Sequence, residues 1–194
     1  MSFHDRIQAL VQNLLALPQI QQADLEASLR QLDLLNVDIP EPEHTRHTPY
    51  ARHVLFANEQ LEVMLASWRR DFPCAPHDHG DSYSAIKVLR GRSHHRGFAI
   101  KNNRLTEVFS ERKSTNDILV CQPKQIHAMG DDNDTETLVT LHLYAGSIDD
   151  MLVFSKTHSH LVSGQAGAWL PVDSPEYLLK QAEGHYGRDD LRLV

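Results

Sequence analysis

The chain has 194 residues, 41% of them hydrophobic and 23% charged, with a formal net charge of −7. That balance suits a soluble globular domain and argues against nucleic acid as a partner, since no basic stretch is longer than the pair Arg69-Arg70. No run approaches the roughly 20 apolar residues of a membrane helix, the start lacks the features of a signal peptide, and two cysteines, Cys74 and Cys121, make no disulfide framework.

The first 36 residues predict helix. Ile7, Leu10, Val11, Leu14 and Leu15 recur at helical spacing, and Pro18 ends that run. A second run places Leu25, Leu29, Leu32 and Leu35 on one face, with Asp24 as an early-turn acid or cap. The proline-rich stretch from Asp38 to Pro49 cannot continue a helix and is expected to be a linker.

From Tyr50 onward the pattern changes to short strands. Arg52 to Ala57 and Leu61 to Trp68 flank an Asn-Glu turn, and Ser84 to Leu89 leads to a turn at Arg90-Gly91. His95 to Ile100 and Leu105 to Val108 flank Lys101-Asn102-Asn103, and segments 117–121, 135–144 and 151–154 complete the series. Many short strands at regular spacing predict a sandwich or barrel. A further helix is expected at Pro175 to Ala182, and no internal repeat is evident.

Thirteen histidines direct the search for chemistry. In Pro76-His77-Asp78-His79-Gly80, residues i and i+2 of an extended segment face the same side, so His77 and His79 can share one metal. Spacing alone is unspecific: about one His-x-His pair is expected by chance in such a chain, and a second, His158-Ser159-His160, occurs. The first pair has context. Ser84 lies five residues after His79 and Gly91 seven after that at a hairpin end, and Pro123 and His127 come from a distant segment. His158 and His160 lack such partners and are read as surface residues, as are His94 and His95.

In Val139 to Tyr144, the apolar Val139, Leu141 and Leu143 alternate with Thr140, His142 and Tyr144. The ordinary reading is a strand with one face on the core and one in water. If the interior is a functional cavity, the polar face instead forms a hydrogen-bonded relay suited to moving one proton. Arg52 has the side chain best suited to hold a carboxylate, although a lone arginine at a strand start is more often solvated. Cys74 and Cys121 are read as inert, partly buried thiols, Trp68 and Phe72 as packing at the barrel mouth, and Tyr83 as pointing opposite to Ser84.

Taken together, Tyr50-Ala51-Arg52, the run His77 to Ser82, Val88 to Gly91, His127 and Thr140 to Tyr144 resemble the cysteine dioxygenase family of thiol dioxygenases, within the cupin superfamily. The resemblance implies a mainly β fold: a cupin, jelly-roll-like β-barrel with N-terminal α-helices. It fits one domain over residues 1–194, with helices over 1–36, a barrel core over 50–156 and a C-terminal extension over 157–194. It implies that His77, His79 and His127 bind Fe(II), that Arg52 with Tyr50 beside it holds the substrate carboxylate, and that Tyr144 is the active-site tyrosine supported by His142 and Thr140. Ser84 stands where mammalian relatives carry a cysteine that crosslinks to that tyrosine, so Tyr144 is expected to stay an unmodified phenol. Another departure is Ala128 to Asp131 after His127, where relatives often have Asn four residues on.

Three neutral imidazoles leave iron its full charge, whereas the commoner facial triad includes a carboxylate. The difference makes room, in charge terms, for an anionic thiolate. The expected reaction oxidises L-cysteine with dioxygen to cysteine sulfinic acid, in the cytoplasm. Alternatives are a dioxygenase of another small thiol acid, such as 3-mercaptopropionate or mercaptosuccinate, a non-catalytic cupin, and a Zn- or Ni-dependent cupin. The partners implied are a small thiol and O2, with neither nucleic acid nor membrane. Arg188 is a second arginine that could compete with Arg52.

Overall fold

A computed structural model describes residues 1–43, 50–70, 73–102, 104–132, 136–146, 148, 151–154 and 162–164. Two helices open the chain. α1 (Phe3–Leu15) starts at a capping box, in which Ser2 Oγ accepts from the Asp5 backbone N–H at 3.2 Å and the Asp5 carboxylate accepts from the Ser2 N–H at 2.7 Å. α2 (Gln22–Gln31) carries Asp24 in its first turn, and the Asp24 carboxylate accepts from the Gln21 N–H at 2.8 Å, the capping role expected of it. α2 stops at Gln31 because Leu32 turns to an extended conformation. Leu35, expected on the apolar face, therefore lies beyond the helix and is 74% exposed. The C-terminal carbonyls of α2 are met by a side chain from the sheet: Lys87 Nζ donates to Leu29 O at 2.9 Å and Leu32 O at 2.7 Å.

Among the described residues ten strands follow: β1 (Tyr50–Ala57), β2 (Leu61–Trp68), β3 (Tyr83–Arg90), β4 (Arg92–Lys101), β5 (Arg104–Ser114), β6 (Ile118–Cys121), β7 (Ile126–Asp131), β8 (Val139–Ala145), β9 (Met151–Val153) and β10 (Val162–Gly164). One sheet has the order β1-β2-β8-β3-β6, and all its pairs are antiparallel. Facing it are β5-β4-β7 and the pair β10-β9. The segment around His77 joins these two ladders, bridging to His127 on one side and to Val153 on the other. His77 and His127 exchange two backbone hydrogen bonds of 2.8 Å, and the N–H of Asp78 donates to Leu152 O at 3.0 Å. The result is the mainly β, cupin-type barrel that the sequence resemblance implied.

Strand parity divides the five-stranded sheet into two faces. Leu61, Val63, Leu65, Ala85, Leu89, Val139, Leu141 and Leu143 pack against Phe3, Ile7, Leu10, Leu14, Leu25 and Leu29 of the helices. Met64, Ala66, Trp68, Ile86, Val88 and Tyr144 point the other way, into the barrel. Tyr83 lies on the helix side, as its opposition to Ser84 predicted. No helix among the described residues is long and apolar enough to cross a membrane. The expected helix at 175–182, and Phe72, His158, His160 and Arg188, lie outside the described residues.

Gly91 makes the tight turn between β3 and β4 with φ +82°, and a Cβ there would stand 2.9 Å from Leu138 Cα. Backbone on one side and a left-handed conformation on the other leave no room for a side chain. Gly91→Ala is expected to lower stability by about 1–3 kcal/mol, read from urea denaturation. An unchanged midpoint would mean that the turn relaxes freely.

Candidate metal centre

His77 and His79 come from the irregular segment before β3, and His127 from β7. The intervening Asp78 fixes the segment. Its carboxylate accepts from the N–H groups of Gly80 at 3.1 Å and Leu152 at 3.0 Å, while Gly80 takes φ +56°. The three imidazoles are almost fully buried, at 6%, 3% and 2% exposure. The Nε2 of His79 lies 3.2 Å from that of His77 and 3.2 Å from that of His127. That is the separation of two nitrogens each held about 2.1 Å from a single ion.

Hydrogen bonds at the opposite nitrogens explain why three Nε2 atoms can converge. His77 Nδ1 lies 2.9 Å from the carbonyl oxygen of Ala75, which can only accept, so His77 carries its proton on Nδ1. His79 Nδ1 lies 3.2 Å from Ser84 Oγ, and His127 Nδ1 lies 2.9 Å from His95 Nε2. With each Nδ1 donating, each Nε2 presents a bare lone pair to the same point. Burial holds the rings neutral: it pushes His77 down to about 4 and drives His79 and His127 well below the ordinary histidine value. Facing lone pairs at this distance repel, and a shared cation removes the repulsion. The donor set therefore fits a metal ion. A carboxylate as fourth ligand is absent, among the described residues, from the chamber these rings line.

The rest of the chamber comes from the inward faces of β1, β2, β3, β7 and β8. Tyr50, Met64, Trp68, Ile86, Met129 and Ile148 are its mostly apolar walls. Its free volume is about 20 Å3, room for one water. A larger ligand reaches the histidines only by displacing a wall side chain, and the methionines are the most adaptable of these. Every residue of β8 is buried, so Thr140, His142 and Tyr144 are not a solvated face. Trp68 Nε1 donates to Thr140 Oγ1 at 2.8 Å, Thr140 Oγ1 lies 2.8 Å from His142 Nε2, and His142 Nδ1 lies 3.0 Å from the Tyr144 hydroxyl. The Tyr144 ring meets that of His79 edge-on, 5.0 Å between centroids. Burial pushes His142 down to about 3 and raises the Tyr144 phenol, so both are neutral at physiological pH.

Arg52 stands apart from the chamber. Its Nε contacts the wall residue Met64 at the sulfur, 3.0 Å away, and its guanidinium pairs with Glu62. Glu62 is the cross-strand partner of Tyr144. Both cysteines are more deeply buried than expected, at 2% and 0%, and burial pushes both thiols up to about 12. Trp68 is not mouth packing but the terminal donor of the Thr140 chain. His95, expected at the surface, is 2% exposed and touches a candidate ligand. The signal was available in the sequence: in a strand running from Gly91, Ser93, His95 and Gly97 share the inward face.

Over residues 44–157 the sequence matches the family described as cysteine dioxygenase type I. Among solved structures, the chain is similar to a conserved protein with a double-stranded β-helix domain from Klebsiella pneumoniae, at 16% identity, TM-score 0.45, covering 59% of this chain and 91% of that one. It is also similar to an RmlC-like cupin from Shewanella frigidimarina, at 11% identity, TM-score 0.44, covering 53% and 81%. A third is an oxalate oxidase, at 13% identity, TM-score 0.47, covering 63% and 64%.

The lowered histidine values predict acid sensitivity. In the unfolded chain these rings take up protons as pH falls through about 6.5, while in the folded chain His77 resists to about 4 and His142 to about 3. The unfolded state then binds more protons, so stability is complete above about 6.5 and is lost progressively below it. The thermal midpoint of metal-free protein should hold from pH 8 to 7 and fall from pH 6.5 to 4.5. A flat profile over that lower range would contradict the burial argument.

Proposed function

The chain belongs to the cysteine dioxygenase type I family, and from that premise we propose that it is a non-haem Fe(II) thiol dioxygenase that converts L-cysteine and O2 to cysteine sulfinic acid. The observation that carries the reading is the convergence of three buried, neutral imidazole nitrogens beside a protonated phenol. In this reading His77, His79 and His127 hold the iron. Iron(II), when bound, supplies an acidic, redox-active centre that favours thiolate over thiol and engages dioxygen. Both oxygen atoms go to the sulfur, and no other reductant is needed.

The remaining residues position and donate. Trp68 gives its N–H to Thr140, which leaves the Thr140 hydroxyl proton for His142 Nε2. His142 then carries its own proton on Nδ1 and gives it to the Tyr144 oxygen. The phenolic proton of Tyr144 is left to point into the chamber, as a donor toward the reacting atoms. Because burial raises the phenol, Tyr144 acts as a hydrogen-bond donor rather than a phenolate. The apolar walls keep bulk water from the reaction.

Arg52 holds the substrate carboxylate in this reading, with Tyr50 beside it. Glu62 already engages the guanidinium, so an incoming carboxylate has to compete with it. The alternative substrates, 3-mercaptopropionate and mercaptosuccinate, present carboxylates to the same arginine. A zinc or nickel cupin is disfavoured by the lack of a carboxylate among the chamber residues described.

Metal analysis combined with oxygen uptake tests the proposal. Purified protein should contain iron and consume O2 with cysteine faster than with the other two thiols. Dominant zinc, or no uptake with any thiol, would end it. His127→Ala should lose the metal, whereas His142→Ala should keep it and lose roughly 10²–10⁴-fold in kcat. Equal metal loss in both would make His142 a ligand. Glu62→Gln removes the competitor of the carboxylate and should lower KM for cysteine roughly tenfold, or about 1.4 kcal/mol. A higher KM would instead mean that Glu62 holds Arg52 in its working position.

A further inference from the structure

We infer that His95 and Glu111 form, with His127, a hydrogen-bonded chain from the outer surface of the barrel to the metal, and that this chain orients His127 and sets its donor strength. The inference rests on the three-histidine reading above. It starts from His95, a histidine on β4 that is 2% exposed and takes no part in the Thr140 relay.

The chain has a direction. Glu111 lies directly across from His95 on β5. Its Oε1 is 3.5 Å from His95 Nδ1, and its Oε2 accepts from Lys113 Nζ at 2.9 Å. A carboxylate held by a lysine is ionised and can only accept, so the proton of His95 sits on Nδ1. His95 Nε2 is then a bare acceptor, 2.9 Å from His127 Nδ1. His127 must donate there, and its own Nε2 turns to the metal. Without His95 the nearest alternative acceptor is the Cys121 sulfur, 3.5 Å away and weak.

The surroundings are built for this contact. The Phe109 ring packs edge-on against His95 at 5.3 Å and covers it from the β5 side. It can do so because residue 97, the cross-strand partner of both His127 and Phe109, is glycine. A Cβ at Gly97 would fall 1.9 Å from the Phe109 ring. The His95–His127 bond is therefore shielded from water, where a hydrogen bond polarises its acceptor and donor most strongly. A donor bond from the far nitrogen raises the basicity of a metal-binding imidazole. More electron density on His127 stabilises the ferric over the ferrous ion.

The test uses the full chain with His95→Leu and Glu111→Gln. Affinities for Fe(II) and Co(II) are measured by competition with a chromophoric chelator, and the Fe(III)/Fe(II) midpoint potential by redox titration. His95→Leu should weaken metal binding about 10–100-fold and shift the potential positive. Glu111→Gln, at an exposed carboxylate, should shift both in the same direction by less. Wild-type affinity and potential in His95→Leu overturn the inference; should that variant fail to fold, unchanged values in Glu111→Gln overturn it instead. Wild-type protein that binds neither ion defeats the metal reading and this inference together, whereas wild-type binding with an indifferent His95 defeats this one alone.

Discussion

The site depends on keeping three imidazoles neutral, close together and correctly protonated without water to help. Burial removes the charged form, and an acceptor at each Nδ1 removes the wrong tautomer. The acceptors are of three kinds: a backbone carbonyl for His77, a hydroxyl for His79 and a second imidazole for His127. The carbonyl of Ala75 is fixed by the chain itself, and His77 is also pinned by two backbone bonds to His127. His127 is held at its backbone by the same ladder but at its ring only by another side chain. Ring orientation at His79 and His127 is thus supplied by side chains, Ser84 and His95, whereas at His77 the backbone itself supplies it.

Ser84 illustrates how one position serves two purposes. By resemblance it occupies the place of a crosslinking cysteine, and a serine cannot form that thioether. In the fold it is the partner of both Tyr144 and Cys121 across neighbouring strands, and its oxygen faces His79 Nδ1. With His79 donating from Nδ1, the Ser84 oxygen is the acceptor of that bond. The Tyr144 hydroxyl is then met by His142 Nδ1 at 3.0 Å. The phenol is oriented by a hydrogen bond where a covalent link would have fixed it, and the Trp68–Thr140–His142 chain acquires that much more of the orienting task.

Much of this was legible in the sequence, and the misses have physical causes. His77, His79 and His127 stood out because His-x-His in an extended segment implies one shared face, and a family pattern singled out the distant third. The alternation in Val139 to Tyr144 was legible as a strand but ambiguous in its environment, since parity does not say which face meets water. The answer lay in the N-terminal helices, which cover the apolar face and leave the polar one inside. His95 was misread because adjacency to a turn suggested exposure, whereas strand parity governs a residue four positions past Gly91. Arg52 was legible as a cation but not as an ion pair, because its partner Glu62 sits ten residues away across a hairpin. Leu35 was assigned to a helix face on spacing alone, and spacing does not reveal where α2 gives way to an extended Leu32.

The helices matter to the chemistry for an energetic reason. A barrel interior that carries His77, His79, His127, His95, His142, Thr140 and Ser84, all buried, forgoes the apolar packing that would otherwise stabilise it. Each large aliphatic side chain fully buried elsewhere contributes about 1.5–3 kcal/mol. Leu14, Leu25, Leu29, Leu61, Leu65, Leu141 and Leu143 are all 0–1% exposed, and all lie in the layer between the helices and the sheet. β2 and β8 take part in both layers, aliphatic on one side and lining the chamber on the other. Lys87 ties the same layers by hydrogen bonds, with its backbone in β3 and its ammonium donating to carbonyls at the end of α2. Stability is thus concentrated one layer away from the polar site, and the strands that share both faces transmit it as rigidity to the residues around the three histidines.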